Sequence, residues 1–202
     1  MIALAVLVLI FGITFFTQPL VSSGWGWDLL QATGYTVMAL WVYLFIDTGR
    51  GRPSLHTFAA WLSLALLAVH VVGLIAFDIL TAQYLGLEAP NYMLVGLSAT
   101  GMFILIITFA NQSTRRFWHP LHLHFLKYHR IFAWIVLLGA AYHIAASGFY
   151  TSGYELVLGG AVLCAVIVLR MLGRTVNTQL NSGWVLVGTV LVISSFMLVR
   201  TL

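Results

Sequence analysis

With 202 residues, 61% of them hydrophobic and only 7% charged, the chain cannot clothe a water-exposed surface, since soluble domains carry about 25% charged residues. Its net charge of +4 comes from nine cations spread between apolar stretches, without the basic block or stripe of a nucleic-acid interface. Five acids, all near the ends of apolar stretches, leave little for general acid–base hydrolysis, and no Ser-His-Asp set, paired carboxylates or phosphate-cradling loop occurs.

A mean hydropathy of +1.02 points to an integral membrane protein. Roughly 17–25 apolar residues span the ~30 Å hydrocarbon layer as a helix, because lipid offers backbone groups no other partner. Seven stretches qualify, at about 1–18, 29–47, 56–77, 92–110, 127–147, 154–173 and 184–200. The first lacks a basic leading segment and a small-residue cleavage site, so it is expected to be a span rather than a secretion signal. The third runs "HTFAAWLSLALLAVH", with His56 and His70 at its ends. Before the fifth, "FWHPLHLH" supplies His119, His122 and His124, which suit either an ordinary interfacial loop or contact with a redox partner, flavin or quinone headgroup. The fifth opens "HRIFAWIVLLGAAYH", with His129 and His143 at the same spacing. Cys164, the only cysteine, lies inside the sixth and reads as a small apolar filler. The expected fold is all-α, a polytopic transmembrane bundle without an internal sequence repeat.

Cations set the orientation. Arg50, Arg52, Arg115, Arg116, Lys127, Arg130, Arg170 and Arg174 fall on one side of the bundle, eight of the nine, with Arg200 opposite. Asp28, Asp78, Glu88 and Glu155 take the other face, and Asp47 alone joins the basic side. The positive-inside rule therefore expects a cytoplasmic amino terminus. Trp25, Trp27, Tyr84, Tyr92, Trp118, Tyr128 and Tyr150 sit near span ends, as interfacial anchors do.

Thirteen residues separate the histidines of each pair. Fourteen steps of about 100° fall roughly 40° short of four turns, so both members share nearly one helix face, about 21 Å apart along the axis. Spans three and five run in the same direction, with His56 and His129 at the cytoplasmic edge and His70 and His143 deeper. Facing one another, they would form two cross-helix pairs, His56 with His129 and His70 with His143, each able to hold one haem by its axial positions. A lone intramembrane histidine can also bond a neighbouring helix or relay protons. A zinc or copper site fits less well, since two nitrogens per level leave the coordination incomplete. Gly73 and Gly139 flank His70 and His143 on shared faces, either to admit a macrocycle or for ordinary helix packing.

At these residues the chain resembles the ferric reductase-like transmembrane family, which includes the membrane domains of NADPH oxidases and ferric reductases and the haem subunit of the periplasmic methionine sulfoxide reductase system. The two quoted stretches match the family's pattern in spacing, span number and orientation. The resemblance covers roughly 1–173 and implies a six-helix di-haem core, with 174–202 adding a seventh, carboxyl-terminal helix. It implies two haems b on His56, His70, His129 and His143, in a membrane subunit of an oxidoreductase that passes electrons across a bacterial inner membrane. The sequence has no Gly-x-Gly-x-x-Gly fingerprint, so the expected donor is a separate flavoprotein or membrane quinol, with a flavin or quinone site at the cytoplasmic side and an extracytoplasmic acceptor. In length the chain is closest to the sulfoxide reductase subunit. That subunit typically lacks an equivalent of His56, so the histidine count favours the two-haem, oxidase-like pattern. The outer loops hold almost no base, which argues against an oxygen-reducing site of the oxidase kind. Arg130, beside His129, is the first candidate to hold haem propionates, ahead of Arg50, Arg52, Arg115, Arg116 and Lys127. Topology alone also accounts for all of these bases.

Overall fold

The computed structural model describes residues 25–47, 53–77, 83, 86, 88–110, 122–148, 160, 161, 163, 164, 166–168, 171 and 182–201. Five helices organise them: α1 (Trp25–Ile46), α2 (Pro53–Phe77), α3 (Asn91–Ala110), α4 (His122–Ser147) and α5 (Ser182–Thr201). The all-α expectation holds for these residues. Segments Gly26–Ile46, Pro53–Phe77, Asn91–Ala110 and Phe125–Ser147 are each long and apolar enough to cross a membrane. They correspond to the second to fifth expected spans, and α5 covers the seventh. The first expected span lies outside the described residues, and the described residues of the sixth are helical.

Local chemistry explains the boundaries. Pro53 opens α2 at the position where a missing N–H costs nothing. Pro90 precedes α3, and its carbonyl accepts from the amides of Met93 at 2.8 Å and Leu94 at 3.3 Å. Asp28 lies in the first turn of α1, where the helix dipole favours an anion. After Ser147, Gly148 takes a left-handed conformation (φ 68°) that ends α4 without steric penalty. Helix α4 starts at His122, earlier than expected, so His122 and His124 fall in its first turn.

The chain divides into two compact units, Met1–Ala82 with Gly148–Leu202, and Gln83–Ser147. In the first, α1 packs against α2 and α5 and is the most enclosed span. Leu55, Ala59, Ser63, Leu67 and Leu74 are the buried residues of α2, one stripe at helical spacing. Leu55 and Ala59 join Leu40 and Tyr43 of α1 and Val185 of α5 in a core that Leu44, Phe58, Leu62 and Leu66 border. Close approaches run antiparallel along α1 and α2: Gly26 beside Phe77, Leu30 beside Gly73, Gly34 beside His70 and Asp47 beside His56. In the second unit α3 packs on α4. Ala99, Phe103, Ile106 and Ile107 of α3 are buried, as are Phe125, Val136, Leu137 and Ala140 of α4.

Apolar side chains also cover much of the outside. On α4 Tyr128, Ile131, Ile135, Leu138 and Tyr142 are exposed, as are Trp61, Val72 and Phe77 on α2. Water would penalise such surfaces, and lipid does not.

Candidate functional site

Helix α2 carries His56 and His70, and α4 carries His129 and His143. All four rings are half-buried.

His70 turns toward α1. Its Nδ1 lies 2.7 Å from the carbonyl oxygen of Leu30, 40 residues earlier in the chain. A carbonyl can only accept, so Nδ1 carries the hydrogen and donates it. In a neutral ring this leaves Nε2 as the unprotonated nitrogen. The Leu30 oxygen also accepts from the Thr33 hydroxyl at 2.7 Å. The imidazole lies against Gly34, where a Cβ would stand 2.6 Å from Cε1, 2.7 Å from Nδ1 and 3.0 Å from Nε2. No real side chain fits there without moving the ring.

The second unit repeats this arrangement. His143 on α4 donates from Nδ1 to the Tyr92 carbonyl of α3 at 2.8 Å. Its ring lies against Gly96, where a Cβ would stand 2.7 Å from Nδ1, 2.9 Å from Cγ and 3.0 Å from Cε1. The Tyr92 ring sits 6.0 Å away, centroid to centroid. In both cases the glycine follows the accepting residue by four positions.

The other two histidines have different surroundings. Asp47, just past the end of α1, accepts from the Tyr43 hydroxyl at 3.0 Å through Oδ2. His56 Nδ1 stands 3.9 Å from that same oxygen, beyond hydrogen-bonding distance but within reach of its charge. His129 lies 5.3 Å from the Phe125 ring, one turn earlier on α4. Arg130 follows it and is exposed, as is Lys127. His119, Arg50, Arg52, Arg115 and Arg116 lie outside the described residues, as do the side chains of His122 and His124.

The geometry separates the glycines. Gly73 lies under Leu30, and at Gly139 a Cβ would meet Ala99 at 3.3 Å, so both serve helix packing within their own hairpins. Gly34 and Gly96, which histidine-centred reading passes over, contact the imidazoles instead. A sequence signal for them exists: each stands near the start of a span that precedes a histidine-bearing one. It becomes readable only once the helix register is known.

At His70 and His143 the ring is held through one nitrogen. A bis-imidazole iron asks each histidine for one unprotonated nitrogen and a ring held in place by its other nitrogen. Among the described residues no three His, Cys, Asp or Glu side chains gather as a metal-ligand cluster. His56 and His70 belong to one unit and His129 and His143 to the other. No family model matches the chain, and no curated protein or solved structure shows significant similarity to it.

Proposed function

We propose that the chain is a b-type membrane cytochrome that conducts electrons across the bilayer as a subunit of an oxidoreductase. By their matched spacing in the sequence, His56 with His129 and His70 with His143 would be the ligand pairs for two haems b. The observation that carries this reading is the matched state of the two deep histidines. Each has its ring held by an Nδ1 bond to a neutral carbonyl of the preceding helix, which in a neutral ring makes Nε2 the unprotonated nitrogen.

Bound haem supplies a one-electron iron couple. The residues of this chain do the rest. His70 and His143 would offer Nε2 from rings held by a backbone carbonyl, and the apolar helices that carry them keep the dielectric low. Asp47 places negative charge beside His56, and Arg130 offers a guanidinium to a propionate. A separate flavoprotein or membrane quinol donates the electrons, and an extracytoplasmic acceptor takes them. The residues 119–124 are the candidate contact for a flavin or quinone at the cytoplasmic face. The proposed setting is a bacterial inner membrane with the amino terminus in the cytoplasm, in the manner of the ferric reductase-like family.

The test is a reduced-minus-oxidised absorption spectrum of the purified protein with haem quantified per chain. Two haems are expected, with His70→Ala or His143→Ala removing one and sparing the other. A preparation without b-type bands, or variants that retain both haems, would overturn the proposal. The same carbonyl bonds favour a second reading, a haem-free subunit whose histidines staple each helix hairpin. The spectrum separates the two.

A further inference from the structure

We propose that Gly34 and Gly96 are positioning residues that set the tautomer and angle of His70 and His143. Each opens the backbone carbonyl four residues before it to the imidazole of the facing helix. The inference deepens the haem reading but is tested apart from it.

The argument begins with helix geometry. The carbonyl of residue i points along the axis toward residue i+4, whose amide it accepts. A side chain at i+4 therefore stands close to that oxygen and blocks a donor arriving from outside. Glycine removes the obstruction, which is the use of this residue wherever another group must approach the backbone closely. Leu30 with Gly34 and Tyr92 with Gly96 have this offset, and at both carbonyls a histidine Nδ1 occupies the opened position, at 2.7 and 2.8 Å.

The space is fully committed. At each glycine an added Cβ would stand 2.6–3.0 Å from three ring atoms, closer than carbon atoms approach without displacement. The ring cannot retreat without lengthening its bond to the carbonyl. Other helical glycines behave differently: Gly73 and Gly139 face Leu30 and Ala99, and Gly101 faces open space. Recurrence of one arrangement in the two compact units argues against accidental packing. Glycine weakens a helix interior relative to alanine, so its presence at both carbonyls answers a local requirement.

The chemical consequence is a choice of nitrogen. Free neutral imidazole prefers hydrogen on Nε2, which would turn a protonated nitrogen toward any ligand. A bond to a carbonyl, which has no hydrogen to give, reverses that preference and leaves Nε2 unprotonated. It also fixes the ring plane, because the accepting oxygen is part of a rigid helix. The arrangement is the backbone counterpart of the carbonyl and carboxylate partners that orient metal-bound histidines.

The experiment uses the full chain in detergent, labelled with nitrogen-15 histidine, as wild type, Gly34→Ala, Gly96→Ala and the control Gly101→Ala. Nitrogen NMR of the haem-free protein reads the tautomer directly, with His70→Gln and His143→Gln assigning the signals. His70 and His143 should carry hydrogen on Nδ1 in wild type and in the control, and each glycine variant should lose that signature at its own histidine only. In the haem-loaded protein each variant should shift the low-spin electron paramagnetic resonance of one haem and weaken its binding roughly 10–100-fold. Hydrogen on Nε2 of both histidines in wild type overturns the proposal, even if the variants fail to fold. So do folded variants with unchanged tautomers. A wild type with the expected tautomers but no b-type spectrum leaves the cradle standing and defeats only the haem reading.

Discussion

Asp47 follows the end of α1, and its carboxylate oxygen accepts from the Tyr43 hydroxyl and stands 3.9 Å from His56 Nδ1. Negative charge beside a ligating imidazole strengthens it as an electron donor and favours the oxidised metal. Asp47→Asn keeps the size and removes the charge. On the proposed haem reading it should raise the midpoint potential of the haem held at His56 and weaken its binding roughly 10-fold, leaving the other haem unmoved. Potentiometric titration of the two b-type bands checks this, and equal shifts in both haems would contradict the local origin. Tyr43→Phe, which removes only the hydroxyl, should shift the same band by less. Histidine identity and spacing were legible in the sequence because a polar ring in an apolar run stands out unaided. The roles of Asp47, Gly34 and Gly96 were not, because each depends on the residue opposite, and that pairing is fixed by helix register.

The α1–α2 hairpin shows how the register is held. Gly73 admits Leu30, Gly26 admits Phe77, and Ala59, fully buried, lets Leu40, Tyr43, Leu55 and Val185 close around it. Ala59→Phe should destabilise the first unit by about 1–3 kcal/mol through overpacking, seen as a lower melting temperature in detergent. Ala110→Phe, at the exposed end of α3, should leave it unchanged. A single-residue insertion after Leu66 is a sharper probe. It turns His70 by about 100° and moves it ~1.5 Å along the axis while His56 stays in place. On the proposed haem reading, the haem held at His70 should be lost while the one at His56 remains, as haem stoichiometry would show. Apolar run length gave the existence of α1–α5, since lipid thickness dictates it. The starts of α1, α2 and α4 came earlier than hydropathy suggested, because Trp27, Pro53 and the His122–His124 stretch are polar or interfacial residues that a helix accommodates without being apolar. The two readings of Gly73 and Gly139 could be separated only by seeing which side chain each glycine meets.

At the scale of the molecule, apolar surface dominates. Trp61, Val72 and Phe77 on α2, Ile104 and Leu105 on α3, and Val190 and Leu191 on α5 are exposed, as is the Tyr128-to-Tyr142 stripe of α4. The chain should therefore partition wholly into the detergent phase. The proposed orientation makes a further claim. In a Cys164→Ser background, Glu88→Cys should react with a membrane-impermeant thiol reagent added to intact cells, and Lys127→Cys only after lysis. The reverse pattern would invert the topology and the assignment of inner and outer layers. Quinone analogues offer the matching test of the donor: if they block haem reduction, membrane quinol feeds the protein, and if they do not, a flavoprotein does.

The Leu30 oxygen is more heavily engaged than an ordinary helical acceptor. It accepts a hydrogen bond from the Thr33 hydroxyl and another from His70 Nδ1, besides the amide that the helix itself aims at it. Each added donor draws electron density from the C=O bond and lowers its stretching frequency. A carbon-13 label at the Leu30 carbonyl should thus give an infrared band below that of the same label at a neighbouring helical carbonyl, moving upward when the imidazole leaves. That single vibration would report, in an intact membrane and in real time, whether the ring is docked.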